Sequence, residues 1–185
     1  MDDAPWTVLD SRPLIEDRWI RLRADRLRTA DGAVLDPWYV LDYPDWVAAV
    51  ALTGDDRIVL VRQWRHGAGA WSLELPGGVI DAADADPVAA GRRELLEETG
   101  FEAASWRYLH AGYANPAIQT NRLHVVLGTG AREVAAARPE PGESIRVECI
   151  PVAEVLAGIG GGMIGQSMHV GAVLTGLAAA GRRSL

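Results

Sequence analysis

Lysine is absent from this chain of 185 residues, so all 18 basic side chains are arginine. That removes the amine of Schiff-base chemistry, the lysine of a P-loop and the lysine of a kinase site. Cysteine occurs once, at Cys149, which excludes an intrachain disulfide and a thiolate zinc cluster. Its neighbours read as a strand, and a buried, inert thiol is expected there. Positive charge is in deficit: the formal net charge is −7, which argues against a nucleic-acid backbone as the main partner. A polyanionic substrate still fits where a metal and local arginines neutralise it. Long apolar runs are missing as well. The stretches Val152 to Ile164 and Val170 to Ala180 are broken by glycine and shorter than a membrane span. The N-terminal residues lack the basic-then-apolar pattern of a signal. A cytoplasmic protein with no membrane partner is the expectation.

What is present is apolar material, 49% of the chain, enough for a full core. The length suits one domain, or one with a small appendage. Residues 1–45 read as a small antiparallel sheet. Trp19 to Asp25 alternates, Asp31-Gly32 marks a hairpin turn, and Trp38 to Leu41 is extended. Such a sheet cannot bury both faces alone. Residues 46–185 read as the main domain. Strands are expected at Val47–Leu52, Arg57–Trp64, through Leu73 and Leu75, at Trp106–Ala111, Leu123–Leu127 and Ile145–Ile150. Gly128 to Gly142 reads as a loop, and Val152–Ala157 and Ser167–Ala180 as helices. The class is α/β, a mixed sheet between helical layers.

The chemistry concentrates after Gly77-Gly78. Asp86 is a good helix N-cap with Pro87 at the first helical position, Val88, Ala89, Ala90, Leu95 and Leu96 supply an apolar side, and Gly100 is a helix stop. On this helix Glu94 and Glu98 lie one above the other, with Glu97 beside them. Arg93 sits four before Glu97 and can pair with it. Like charges at helical spacing repel, and a divalent cation removes that penalty.

The run Arg93-Glu94-Leu95-Leu96-Glu97-Glu98-Thr99-Gly100-Phe101, after Gly78, resembles the Nudix box, G-x5-E-x7-R-E-U-x-E-E-x-G-U. Every fixed position from Arg93 to Phe101 matches. Upstream the loop carries one extra residue: the first acidic position falls on Asp84 counted from Gly78, and on Ala85 counted back from Arg93. The resemblance implies a Nudix α/β/α sandwich and Mg²⁺, with Mn²⁺ as an alternative ion, held by Glu94, Glu97, Glu98 and the carbonyl of Gly77. It implies that Arg93 orients these carboxylates. It also points to a base or further ligand in the loop before a late strand, Glu143 first and Glu140 second.

Further features resemble the ADP-ribose pyrophosphatase branch. Arg62-Gln63-Trp64-Arg65 resembles its Q-Y-R segment, making Arg65 and Arg62 phosphate candidates. Leu73-Glu74-Leu75-Pro76-Gly77-Gly78 resembles its E-L-P-A-G run, with Glu74 a weaker candidate. Pro116 stands where the branch carries a proline. Asn115, Gln119, Asn121 and His124 have two readings, sugar contacts or loop support. Trp46 is a candidate to stack on a base, and the N-terminal sheet to form a homodimer. His66, His110 and His169 lack cluster spacing and receive no metal role. The expected activity is Mg²⁺-dependent cleavage of the diphosphate of ADP-ribose, or a related nucleoside diphosphate sugar, to a nucleoside monophosphate and a sugar phosphate. The rivals are a GDP-sugar, a dinucleoside polyphosphate, a nucleoside triphosphate, and a non-catalytic nucleotide-binding regulator.

Overall fold

The computed structural model describes residues 5–17, 20–139 and 142–182. Trp19, at the start of one expected strand, and Glu140 lie outside them. Two compact units emerge, one running to Pro44 and taking in Tyr113–Arg122, the other comprising Asp45–Gly112 and the chain from Leu123 on.

The first unit is an antiparallel sheet, β1 (Thr7–Glu16), β2 (Arg21–Arg28) and β3 (Val34–Asp42), in that order. The β2–β3 turn closes with the Thr29 N–H donating to Ala33 O at 2.9 Å, and Gly32 takes φ +88°. Arg23 ties the sheet together, bonding Asp25 at 3.1 Å and also Asp42. The Tyr113–Arg122 segment joins at the β3 end, where Leu41 N–H donates to Ile118 O at 2.7 Å and Thr120 N–H to Leu41 O at 3.2 Å. Strand β1 leaves Trp6, just before it, and its own Val8 and Ile15 exposed.

The second unit holds β4 (Trp46–Thr53), β5 (Arg57–Arg65), β6 (Ala70–Glu74), β7 (Gly77–Val79), α1 (Pro87–Thr99), β8 (Phe101–Glu102), β9 (Ser105–Tyr113), β10 (Arg122–Glu133), β11 (Ile145–Pro151), α2 (Val152–Ile159) and α3 (Ser167–Ala179). Strand order is β11-β5-β4-β10-β8, with β6 on β5, β7 on β4 and β9 on β10. Strand β10 runs parallel to β4, whereas β5 and β7 run antiparallel to it, so the sheet is mixed.

Period-two alternation on β4 makes the sandwich. Val47, Ala49 and Ala51 join Ala90 and Leu95 of α1 in one core. Ala48, Val50 and Leu52 join Val173 and Leu177 of α3 in the other. A strand covered on both faces must be apolar at every position, which is why this run reads without polar breaks. Each fully buried Leu or Val contributes about 1.5–3 kcal/mol. The helices sit close: a Cβ on Gly91 would lie 2.5 Å from Val126 Cγ2, and one on Gly176 2.7 Å from Val50 Cγ1. Leu96, expected on the apolar side of α1, is exposed.

The reading of Gly128 to Gly142 as loop needs correction, because β10 continues to Glu133, with Arg132 opposite Glu102 and Glu133 opposite Phe101. Its glycines serve close approach and a bulge. A Cβ on Gly128 would meet Ala103 Cβ at 2.8 Å, and Gly130 takes φ +68° where the register with β4 shifts between Thr129 and Ala131. Cys149 lies half-buried on β11 against the α1-side core, and burial raises its pKa.

Candidate active site

Helix α1 is held in register from both ends. Asp86 Oδ1 accepts the Ala89 N–H at 2.8 Å, and Gly100 (φ +74°) donates its N–H to Leu96 O at 2.8 Å. That register turns Glu94 and Glu98 toward a cavity of about 530 Å³ bounded by β4, β5, β7 and the start of α3. Strand β7 fits against β4 because Gly77 has no side chain, and Gly78 leaves room for the Glu94 carboxylate. A Cβ on Gly77 would sit 2.1 Å from Val47 O, and one on Gly78 2.6 Å from Glu94 Oε1. The Gly77 N–H donates to Glu98 Oε2 at 2.9 Å, locking β7 to the helix.

Arg93 gathers the acidic groups. Its Nη1 donates to Glu94 Oε1 at 2.9 Å and to Glu97 Oε2 at 3.1 Å. Its Nε and Nη2 fork onto Asp84 at 3.1 and 3.0 Å, and Nη2 also donates to Val79 O at 3.0 Å. Asp84 therefore occupies the acidic place ahead of the helix despite the extra residue. Arg93 in turn holds the Asp84 carboxyl below its ordinary pKa.

Burial acts the other way on the helix pair. It raises Glu94 to about 7, against the charge of Arg93, with Glu97 and Glu143 adding repulsion. It raises Glu98 to about 8, with Glu94 and Glu143 adding to the effect against the Gly77 hydrogen bond. Glu97, its side chain 46% exposed, is the most open of the three. Glu143 lines the same cavity. Among the described residues no three carboxylates, imidazoles or thiols already stand at metal-ligand spacing. Like charges hold apart, and Arg93 draws Glu94 and Glu97 toward itself. The donor set is nevertheless all oxygen and half-shielded from water, and burial, the main cause of the raised pKa values of Glu94 and Glu98, sets a cost on their charge that a cation would offset. That chemistry fits Mg²⁺.

The other expected residues separate. Trp46, Arg65 and Gly77 line the cavity. Arg65 forks onto buried Glu74, Nε to Oε1 at 3.1 Å and Nη2 to Oε2 at 2.7 Å. Burial opposes ionisation of Glu74, yet the Arg65 and Ser72 hydrogen bonds bring its pKa below the ordinary value. Arg62 does not line the cavity: it forks onto Glu148 of β11. Alternation along β5 is the reason, since Gln63 and Arg65 share a face that Arg62 does not. Pro116 stands in a turn of the first unit, where Asn115 Oδ1 accepts the Ala117 N–H at 3.3 Å. His124 is bound between Asp45, 3.1 Å from Nε2, and Tyr108, 3.3 Å from Nδ1.

Gln63, Gln166 and His169 line the cavity without having been singled out as contacts. Gln63 was readable from strand alternation beside Arg65. His169 accepts the Leu75 N–H on Nδ1 at 3.2 Å across a separation of 94 residues, which no local signal reveals.

A NUDIX domain model matches residues 43–163, and a model of the nucleoside diphosphate sugar hydrolase N-terminal domain matches residues 6–41. The chain is 30% identical over 177 residues to the ADP-ribose pyrophosphatase of Mycobacterium tuberculosis (strain ATCC 25618 / H37Rv), covering 94% of this chain and 84% of that one. It is 27% identical over 123 residues to the methanol dehydrogenase activator of Bacillus methanolicus, covering 66% and 65%. A crystal structure of ADP compounds hydrolase shares the fold, with a TM-score of 0.84 at 20% identity over 97% of this chain and 98% of that chain. With a domain model spanning most of its length and the acidic helix seated on the glycine strand, the chain belongs to the Nudix hydrolase family.

Proposed function

We propose that the enzyme cleaves the diphosphate of ADP-ribose, or of a closely related nucleoside diphosphate sugar, to a nucleoside monophosphate and a sugar phosphate, with Mg²⁺ as cofactor. The observation that carries this reading is the pairing of Glu94 and Glu98 on one face of α1, Glu98 buried against the Gly77 N–H and Glu94 partly buried beside Gly78, with burial raising the pKa of both. The 30% identity to an ADP-ribose pyrophosphatase over nearly the whole chain supports the substrate class. So does the match of the N-terminal residues to the nucleoside diphosphate sugar hydrolase model.

In this reading Glu94, Glu98 and the Gly77 carbonyl hold Mg²⁺, with Glu97 placed to reach a second ion. The bound ion supplies positive charge to the diphosphate oxygens. Arg93 fixes the direction of Glu94 and Glu97 and touches no substrate. Glu143 takes a proton from the attacking water, whose oxygen bonds to one phosphorus while the bridging oxygen leaves on the other. Arg65, half-exposed at the cavity wall with Nε and Nη2 on Glu74, has Nη1 to donate to a phosphate oxygen. Trp46 offers a flat face to the base. The test is a panel of nucleoside diphosphate sugars, dinucleoside polyphosphates and nucleoside triphosphates with Mg²⁺, scored by product. Faster turnover of triphosphates or dinucleoside polyphosphates than of ADP-ribose overturns the substrate assignment.

The N-terminal sheet forms a homodimer in this account. Exposed Trp6, Val8, Leu14 and Ile15 on and beside β1 are apolar surface that a second copy would cover. Sedimentation equilibrium is expected to give about twice the 19.9 kDa of one chain. A monomer at micromolar concentration refutes the arrangement.

A further inference from the structure

The start of α3 forms part of the cavity wall, and no step above uses it. Gln166, Met168 and His169 all line the cavity. Gln166 holds the N-cap position, yet no side chain caps the first turn of this 13-residue helix. The N–H groups of a first turn lack intrahelical partners, and the helix dipole places partial positive charge there. His169 adds an independent donor. It is only 6% exposed, and its Nδ1 accepts the Leu75 N–H at 3.2 Å. A ring nitrogen that accepts carries no proton, so the single proton of the ring sits on Nε2. That N–H donates to no group among the described residues. Gln166 Oε1 is closed off from the surface, whereas His169 Nε2 keeps accessible surface on a ring that lines the cavity.

A cation stands beside these donors. Arg65 Nη2 lies 2.7 Å from Glu74 Oε2, and His169 Nδ1 lies 3.9 Å from the same oxygen. Buried Glu74 thus sets guanidinium and imidazole side by side, and Arg65 Nη1 makes no hydrogen bond among the described residues. A sugar hydroxyl here would find no open acceptor in Gln166 for its own proton. A phosphate oxygen needs donors only, and its charge suits both the helix dipole and Arg65. The corner is also close to the acidic helix. The Gly77 N–H holds Glu98 at 2.9 Å and the Leu75 N–H holds His169, and two residues of chain span about 7 Å at most. We propose that the start of α3, with the Nε2–H of His169, is a phosphate subsite of the cavity, distinct from the carboxylates of α1. It takes one phosphate of the diphosphate while the acidic end takes the other, a placement that rests on the functional reading above.

The probe is inorganic pyrophosphate with Mg²⁺, a diphosphate that carries no sugar. His169→Asn keeps an acceptor for the Leu75 N–H and removes the Nε2 donor. His169→Gln keeps a donor near the Nε2 position and removes the acceptor. Both are measured below their melting temperatures. Calorimetry is expected to show His169→Asn binding pyrophosphate about tenfold or more weakly than wild type, and His169→Gln within about threefold of it. Turnover of ADP-ribose should follow the same order in kcat/KM, chiefly through KM. A purely structural role gives the reverse order, because the Leu75 bond survives in His169→Asn and is lost in His169→Gln. That reversal overturns the subsite, as does a loss in His169→Gln as large as in His169→Asn. Should His169→Asn not fold, a tenfold loss in His169→Gln alone overturns it. A raised KM for ADP-ribose with pyrophosphate affinity unchanged puts the donor on a sugar hydroxyl and overturns it too. If wild type does not turn over ADP-ribose, the functional reading has failed, and the pyrophosphate series still decides the subsite. Wild type that binds no pyrophosphate overturns it.

Discussion

Arg93 grips Asp84 through both sides of its fork, Nε to Oδ1 at 3.1 Å and Nη2 to Oδ2 at 3.0 Å, while its remaining nitrogen holds Glu94 and Glu97. One guanidinium thus links the loop before α1 to the carboxylates assigned to the metal. Asp84→Asn replaces one oxygen facing that fork with an amide NH₂. Turnover is expected to fall about 10- to 100-fold with a parallel loss of Mg²⁺ affinity, because the groups that orient ligands carry that much of their effect. Steady-state kinetics with a Mg²⁺ titration check it. Unchanged values would make Asp84 a loop support only.

Glu98→Gln is expected to lower turnover at least about a hundredfold while leaving the fold intact. Burial already raises the metal-free Glu98 to about 8, so a neutral amide resembles the form the side chain favours at neutral pH. Circular dichroism and thermal melting of the metal-free variant should match wild type. Near-normal turnover by the pure variant removes Glu98 from the metal site.

Metal binding should depend steeply on pH. Glu94 and Glu98 titrate near 7 and 8 without metal, and a cation binds their ionised forms. Mg²⁺ affinity should therefore rise from pH 6 to about 8 and then level off, with protons released on binding below that point. Calorimetry in two buffers of different ionisation enthalpy reads the release directly. The same shifts act on folding. Both groups hold protons more tightly folded than unfolded, so the metal-free protein should lose stability as pH rises from about 4.5 toward 8, and Mg²⁺ should restore it.

His169 sets an opposite dependence at lower pH. Its pKa falls from the ordinary 6.5 to about 4 on folding, so the unfolded chain takes the proton first. Its contribution to stability is complete above about 6.5 and is lost as pH falls toward 4, with a slope of up to about 1.4 kcal/mol per pH unit. His169→Asn cannot titrate and should flatten that part of a stability–pH curve measured by urea unfolding. Curves of equal slope for the two proteins would show that the imidazole takes its proton as readily inside the fold as in the unfolded chain.

What the sequence made legible follows the range of the forces involved. Helix α1 could be bounded by Asp86, Pro87 and Gly100, because capping is local, and the Arg93–Glu97 pair followed from helical spacing. The place of Asp84 was less plain because of the extra loop residue. The loop absorbs it in a turn, with the Asp84 N–H donating to Asp81 O at 3.0 Å and the Asp81 N–H to Asp84 Oδ2 at 2.9 Å, which aims the carboxylate at Arg93. Arg62 and Arg65 look alike in the chain, and only the pleat of β5 sends one to Glu148 and the other to the cavity. Gly128 and Gly130 read as loop because glycine usually marks one. Here the cause is tight packing against Ala103 and Ala104, which only the third dimension shows. Glu74 with Arg65 is a contact within the β5–β6 pair, and His169 with Leu75 is one made only by the completed sandwich.

The most direct measurement strips the enzyme of metal with a chelator, supplies ADP-ribose, and follows products as Mg²⁺ is added back. The account predicts no turnover before addition, then AMP and ribose phosphate in equal amounts with no free orthophosphate. Full activity in the stripped enzyme, or orthophosphate as the first product, would contradict it.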